Sequence, residues 1–242
     1  VEAEKIEDIK VVPEILQDFI DPENISENLI VLRNQVPAYQ SISEDLANKG
    51  VIFTDIFTAL QEHSELVKKY YMTDAAQINE HNLTALHAAL MNGGVFVYVP
   101  ENVQINEPLQ AIFWQEDETA ALYNHVIVVA DKNSKVQYVE NYVSHNKDVK
   151  ATANIISEVF AHDGANVSYG AVDHFAEGMI TYVSRRGIAY NDATINWALG
   201  QMNEGNTIAE NITLLEGNGA ITFPRTVTVG RGNQIQNFTT TT

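Results

Sequence analysis

The residues best suited to acid–base or metal chemistry are the histidines. The chain contains seven of them: His63, His81, His87, His125, His145, His162 and His174. None belongs to an HExxH or His-x-His motif, and the chain has no cysteine with which a histidine could share a zinc site. His81 and His87 flank a predicted helix start and, six positions apart, are expected on different faces. The pattern favours ordinary polar contacts over catalysis or metal binding.

Two loop motifs resemble binding sites without meeting their requirements. Glu116-Asp117-Glu118 is the densest carboxylate run, but no EF-hand spacing surrounds it, so we expect a solvated turn. The run from Val229 to Ile235 contains Gly-x-Gly after a predicted strand. The third glycine and the following helix of a dinucleotide-binding motif are absent, and no P-loop motif occurs. We therefore expect a tight turn there.

Arg185-Arg186 is the only pair of basic residues on a predicted strand. Alternation along a strand puts the two side chains on opposite faces. One of them could bind a carboxylate-bearing ligand, as arginines do in polysaccharide-cleaving β-helices. We expect instead that one pairs with a neighbouring acid and that the other faces solvent. The residues alone therefore assign no catalytic, cofactor-binding or metal-binding position.

Composition and charge exclude several classes of partner. The 242 residues are 45% hydrophobic, which is normal for a globular protein with a substantial core. The net charge of −18 repels phosphate groups, so we expect neither nucleic acid nor membrane as a partner. No apolar run approaches the roughly 20 residues that span a bilayer, and no signal segment opens the chain. We expect a cytoplasmic protein.

The first 92 residues predict a smaller, mostly helical domain. Its predicted elements are a helix at 13–20, a strand at 28–35, a helix from Ser43, and a strand followed by two helices at 50–72. Thr54-Asp55 supplies a cap for the first of these two helices. A last helix, from Asn82 to Asn92, is expected to stop at Gly93-Gly94, because glycine adopts the left-handed cap at little cost.

Residues 93–242 predict a second domain built from strands. The predicted runs are 95–99, 110–114, 125–130, 135–143, 153–161, 166–174, 178–185, 194–202, 206–215, 221–229 and 234–242. No segment of helical period separates them, which excludes βαβ units. A β-sandwich or jelly roll and a parallel β-helix both fit this pattern. The scarcity of tight hairpin signals favours the β-helix.

Five segments resemble the SufB/SufD family of iron–sulfur cluster assembly proteins. They are GVIFTDIFTALQEHSELV, LTALHAALMNGGVFVYVPENVQINEPLQAIF, HVIVVADKNSKVQYVENYVS, TYVSRRGIAYNDATINWALG and TVTVGRGNQIQNFTTTT. The resemblance covers the chain from Gly50 to its end, and residues 1–50 match loosely. It implies a right-handed parallel β-helix preceded by a helical N-terminal domain.

Within that family, the chain is similar to the SufD branch. SufB-type proteins typically carry a cysteine after a Tyr-Val-Glu motif, whereas Tyr138-Val139-Glu140 continues here as Asn141-Tyr142. The resemblance implies a non-catalytic scaffold that pairs with SufB and with the ATPase SufC. It implies no cofactor in this chain, since the complex assembles the cluster. A SufB-type paralogue and a carbohydrate-active or carbohydrate-binding β-helix are the alternatives.

The chain departs from the family pattern at its ends. It opens without methionine and stops inside a strand-like run of threonines, whereas family chains continue into more β-helix and a C-terminal helical domain. That further part carries the contacts with SufC and SufB and an interface histidine, so none of those residues can be assigned here. We expect a fragment that self-associates through the open end of its β-helix.

Overall fold

The computed structural model describes residues 6, 14–17, 19–21, 23, 25–144 and 150–242. About 50% of the chain is strand and 14% is helix, as the prediction of a mainly β protein requires. The helix predicted at 13–20 is a short 3-10 turn at Glu14–Leu16, and Pro13 and Asp18 lie outside the described residues. The predicted strand at 28–35 is confirmed as the first strand below.

Fourteen strands and four α-helices are described. The strands are β1 Leu29–Arg33, β2 Val36–Ser41, β3 Ile52–Asp55, β4 Gly93–Val99, β5 Leu109–Gln115, β6 Leu122–Ala130, β7 Lys135–Ser144, β8 Thr152–Ala161, β9 Asn166–His174, β10 Ile180–Ala189, β11 Thr194–Gln201, β12 Asn206–Leu215, β13 Ile221–Thr228 and β14 Gln236–Thr241. The helices are α1 Glu44–Asn48, α2 Ile56–Glu62, α3 Ser64–Tyr70 and α4 Asn82–Leu90. All eleven strands predicted after residue 93 are confirmed.

The strands form two sheets, and the chain alternates between them. Sheet A has the order β13-β11-β9-β7-β5-β1-β2, and sheet B has the order β14-β12-β10-β8-β6-β4-β3. From β4 onward, each strand pairs in parallel with the strand two positions along the chain. This is a parallel β-helix of about five turns, and it excludes the sandwich alternative.

The turns that lead from sheet B to sheet A are stacked on one another. Each holds one residue with positive φ: Asn102, Asn133, Gly164, Asp192 and Gly219. The N–H of each of the first four donates to a carbonyl in the turn of the next coil, at 2.8–2.9 Å. Only glycine, asparagine and aspartate adopt this conformation at low cost, so these residue types mark one corner of every coil.

The interior of the β-helix is packed with aliphatic and aromatic side chains. Phe113 stacks on Tyr142 with ring centroids 4.4 Å apart, and Tyr142 contacts Phe175 in the next coil at 5.8 Å. Tyr169 contacts Trp197 at 5.1 Å. Because equivalent positions of successive coils lie directly above one another, each ring buries its neighbour and the core extends along the axis.

The part of the chain before Gly93 contributes to both sheets. β1 pairs in parallel with β5, and β3 pairs antiparallel with β4. Helices α2 and α3 cover the outer face of sheet B, where Ile56 and Tyr70 pack with Phe160. The Asp55 carboxylate begins α2 by accepting the N–H groups of Phe57 and Thr58 at 3.0 and 3.1 Å, so the predicted cap is confirmed. The domain division at residue 92 stays a prediction.

The role predicted for Gly93-Gly94 is wrong. Helix α4 ends at Leu90 with Met91 as its cap residue at φ −49°, so no left-handed glycine stops it. Both glycines belong to β4. Gly94 has φ +153°, and a Cβ there would lie 1.8 Å from the carbonyl oxygen of His125 in β6. Gly94 is needed because the two backbones approach so closely.

Candidate functional site

The interior of the β-helix holds a buried cluster of charges around Arg185. From β10 its guanidinium donates to Asp173 of β9 at 2.7 and 2.9 Å, and to Glu140 of β7 at 3.0 and 3.3 Å. Gln201 of β11 donates to the same Asp173 at 2.8 Å. Arg185 is 1% exposed, and both carboxylates are fully buried. The expectation that one arginine pairs with an acid is confirmed, with two acids.

The guanidinium of Arg185 opposes the cost of burying two carboxylates that repel each other. Burial raises the pKa of Glu140, and the guanidinium of Arg185 opposes that rise. Burial disfavours the positive charge of Arg185. The carboxylates of Asp173 and Glu140 nevertheless hold the pKa of Arg185 well above its ordinary value. The donors of Arg185 are therefore occupied and sealed from solvent, and this arginine does not present a binding face to a carbohydrate.

Arg186 points to the opposite face of sheet B, as alternation predicts. Its guanidinium donates to Glu80 at 3.0 Å, to Glu210 at 2.6 Å and to the hydroxyl of Ser184 at 2.7 Å. The expectation that it faces solvent is wrong, because its side chain is only 10% exposed. The segment that carries Glu80 lies across it and supplies one of its two carboxylates.

The same outer face of sheet B holds a second buried group, here called the relay: Asn154, His87, His125 and Glu158. Asn154 Oδ1 lies 3.1 Å from His87 Nδ1, and His87 Nε2 lies 3.0 Å from His125 Nδ1. His125 Nε2 lies 2.9 Å from Glu158 Oε1. All four residues are at most 1% exposed.

The relay also holds the segment that precedes α4. Glu158 Oε1 accepts the N–H of Met72 at 2.7 Å, and its Oε2 accepts the N–H of Ala76 at 3.1 Å. Burial lowers the pKa of His87 and of His125 to about 3, and it raises the pKa of Glu158 to about 8. The relay is therefore neutral overall near pH 7.

The other histidines make scattered polar contacts. His81 caps α4 through Nδ1 and meets the Tyr182 hydroxyl through Nε2 at 3.1 Å. His162 contacts Tyr70, His174 lies 3.7 Å from Glu204, and His63 lies between α2 and α3, while His145 lies outside the described residues. Across the described ranges, no three or more His, Asp or Glu side chains are grouped so that they could hold a metal ion.

Comparison with known proteins places the chain in a family. The family model "SufBD protein N-terminal region" matches residues 20–111, and "SUF system FeS cluster assembly, SufBD core domain" matches residues 113–242. The chain belongs to the SufBD family. Its relatives include the iron–sulfur cluster assembly protein SufD of Bacillus subtilis, 52% identical over 241 residues, which are 99% of this chain and 55% of that protein.

More distant SufBD relatives occur in staphylococci. An iron–sulfur cluster assembly SufBD family protein of Staphylococcus aureus is 30% identical over 182 residues, and one of Staphylococcus saprophyticus is 29% identical over 182 residues. Each match covers 75% of this chain and 39% of the relative. The chain thus spans between about two fifths and just over half of the length of these relatives. These similarities support a role in iron–sulfur cluster assembly.

The two loop motifs of this SufBD chain have structural roles. Asp117 in the acidic run accepts the N–H groups of Thr119 and Ala120, which lowers its pKa, and Glu116 pairs with Arg33 at 2.6 Å. Arg231 of the Gly-x-Gly turn pairs with Glu204 at 3.1 Å beside a surface cavity of about 510 Å³. Among the described residues, neither motif groups side chains that could hold a metal ion.

Sequence reasoning missed the relay because its members are far apart in the SufBD chain. His87 and Asn154 are separated by 67 positions, and His125 and Glu158 by 33. They meet because neighbouring coils place outward positions of β6 and β8 side by side beneath α4. The available signal was polar residues at outward positions of strands that are otherwise apolar.

None of the described helices is long and apolar enough to cross a membrane.

Proposed function

We propose that the whole protein is a non-catalytic scaffold subunit of a SufBCD-type complex that assembles iron–sulfur clusters in the cytoplasm. It pairs with a SufB-type subunit and with a SufC-type ATPase. The observation that carries this proposal is the 52% identity over 99% of the chain to a protein named as SufD. The absence of cysteine from these 242 residues supports a role in which other subunits supply thiolates to the nascent cluster.

The geometry of the buried charges supports the same proposal. The donors of Arg185 and Arg186 are directed at carboxylates of this chain, and the relay binds backbone groups of this chain. Such arrangements hold a fold together and leave the outer surfaces for partners. We further propose that these residues bind no resident cofactor.

Co-purification tests the proposal. The full-length protein is expressed with tagged SufB-type and SufC-type proteins of the same organism, and the 242-residue chain is tested in parallel. We expect the full-length protein to retain both partners and the 242-residue chain to lose the SufC-type partner. Retention of neither partner contradicts the scaffold role, and pairing with a SufD-type subunit instead of SufB identifies a SufB-type paralogue.

Self-association of the 242-residue chain stays a prediction. β13 and β14 are each paired on one side only, and Ile221, Phe223, Val227 and Ile235 near them are exposed. Free strand edges and exposed apolar side chains favour contacts between copies. Light scattering over a concentration series measures this, and a strictly monomeric species at high concentration contradicts it.

A further inference from the structure

The segment that the relay holds is here called the strap, residues 71–90, which joins the end of α3 to the end of α4. The strap lies on the outer face of sheet B. Two of its N–H groups donate to Glu158, and His87 enters the relay from the last turn of α4. Glu80 of the strap also pairs with Arg186. The relay and the Glu80–Arg186 ion pair therefore fasten the strap to the β-helix, and His81 adds a contact with the Tyr182 hydroxyl at 3.1 Å.

The hydrogen positions in the relay follow from its fixed acceptors. Asn154 Nδ2 donates to the carbonyl of Leu83 at 3.0 Å, which turns Asn154 Oδ1 toward His87. An amide oxygen only accepts, so His87 Nδ1 carries a hydrogen. A neutral imidazole carries only one, so His87 Nε2 accepts, and the hydrogen between the two rings belongs to His125 Nδ1.

The last link then requires a proton on the carboxyl group. His125 Nε2 has no hydrogen of its own once Nδ1 carries one, yet it lies 2.9 Å from Glu158 Oε1. A carboxylate and a bare ring nitrogen are both acceptors and would repel. One proton between Glu158 and His125 completes the chain of donors, and the burial of all these groups favours this neutral arrangement.

The surroundings of Glu158 determine how it responds when that proton leaves. The charged groups that face it are Arg186 on β10, which lowers its pKa, and Asp74 of the strap, which raises it. Tyr71 packs on His125 with ring centroids 4.5 Å apart, and burial raises the pKa of Tyr71 to about 12, so it stays neutral. Loss of the proton therefore leaves a buried negative charge and only two protons for the three contacts of the relay.

We propose that the relay is a proton-dependent latch, in which loss of the carboxyl proton of Glu158 loosens the strap from sheet B. Protonated, the relay joins strap and sheet through an unbroken series of donors and acceptors. Deprotonated, the relay has two protons for three contacts, so one contact becomes repulsive. The N–H groups of Met72 and Ala76 favour the charged carboxylate, but its burial is the larger effect, and opening the strap lets water reach it. Opening uncovers the outward face of β8 and β10.

Hydrogen exchange by mass spectrometry of the full-length protein between pH 6 and pH 9 tests the latch. After correction for the intrinsic rate, we expect the protection of strap amides to fall about tenfold from pH 7 to pH 9, since Glu158 titrates near pH 8. Amides of β11 in the interior should keep their protection. A flat profile for the strap overturns the proposal.

A matched pair of variants separates the latch from general loosening. Glu158→Gln carries an amide that donates to His125 at every pH, so the strap should lose its pH dependence, although the N–H of Met72 then loses its acceptor and the strap is looser throughout. Glu65→Gln removes an exposed carboxylate of α3, which pairs with Lys68, and leaves the surroundings of Glu158 intact, so the tenfold fall should persist. A Glu158→Gln strap that keeps the wild-type pH profile overturns the proposal.

The ring nitrogens give a second readout that does not depend on a variant. Nitrogen-15 spectra of the histidine side chains at pH 6.5 should show His87 and His125 each protonated at Nδ1 alone. A doubly protonated His125 would mean that an imidazolium–carboxylate pair holds the strap, and it overturns the proposal.

Discussion

Replacing Arg185 with methionine is expected to lower the free energy of unfolding by about 3–5 kcal/mol. Among the described residues that contact Glu140 and Asp173 in the interior of the β-helix, Arg185 is the only one with a cationic side chain. Methionine fills much of the same volume but leaves two carboxylates buried without a counter-charge. Urea unfolding of the full-length protein, followed by circular dichroism, measures the change.

Two further variants show whether charge is the cause. Arg225→Met makes the same substitution at an exposed arginine over Phe223, and its effect should stay within about 0.5 kcal/mol. Adding Glu140→Gln and Asp173→Asn to Arg185→Met removes every charge of the cluster, so most of the lost stability should return. An Arg185→Met protein as stable as Arg225→Met contradicts this account of the core.

Gly94→Ala is expected to destabilise the protein by about 3 kcal/mol or more. The added Cβ would meet three backbone atoms of His125 at 1.8, 2.8 and 3.0 Å, and φ is +153°. These backbone atoms cannot rotate away as a side chain can. The strands β4 and β6 must therefore move apart, which weakens the hydrogen bonds of their parallel pairing. Thermal and urea unfolding measure the loss.

Gly230→Ala provides the matched control for this substitution. No heavy atom lies within 4 Å of a Cβ built at Gly230. We expect its effect to stay within about 1 kcal/mol, with slight stabilisation allowed because alanine restricts the unfolded chain. If the two substitutions destabilise the protein equally, the close approach of β6 is not the reason why position 94 requires glycine.

Local patterns were enough to predict most elements of the fold. Asp55 caps α2 and Ser43 caps α1 because each side-chain oxygen accepts the N–H groups that a helix start leaves free. The strands after residue 93 were recognisable because β-branched and aromatic runs alternate with Gly, Asn and Asp. These signals act over a few residues, and the sequence displays them directly.

The periodicity of the sequence could not distinguish a β-sandwich from a parallel β-helix. The corner residues Asn102, Asn133, Gly164 and Asp192 recur once per coil, but at unequal spacing and with three residue types. Their common property is a left-handed backbone, which appears only when the turns are seen stacked. The resemblance to the SufB/SufD family decided the architecture correctly.

The charged clusters depend on the register between coils, which no local pattern fixes. Arg185 and Glu140 are 45 positions apart and meet only because β10 faces β7 across the interior. One of the two arginines was expected in solvent, because the strand positions give no hint that Glu80 of the strap covers Arg186. The role predicted for Gly94 was wrong for the same reason. The backbone that approaches it belongs to His125, about thirty positions later in the chain.

The most direct test of the scaffold account is the rate of iron–sulfur cluster assembly in a reconstituted complex of the full-length protein with SufB-type and SufC-type partners. The wild type is compared with the triple variant Arg185→Met, Glu140→Gln and Asp173→Asn. If the buried charges only hold the fold, the variant should form the complex in equal yield and assemble clusters within about twofold of the wild-type rate. Equal yield with assembly about tenfold slower would show that these residues take part in the chemistry, and it would contradict the account.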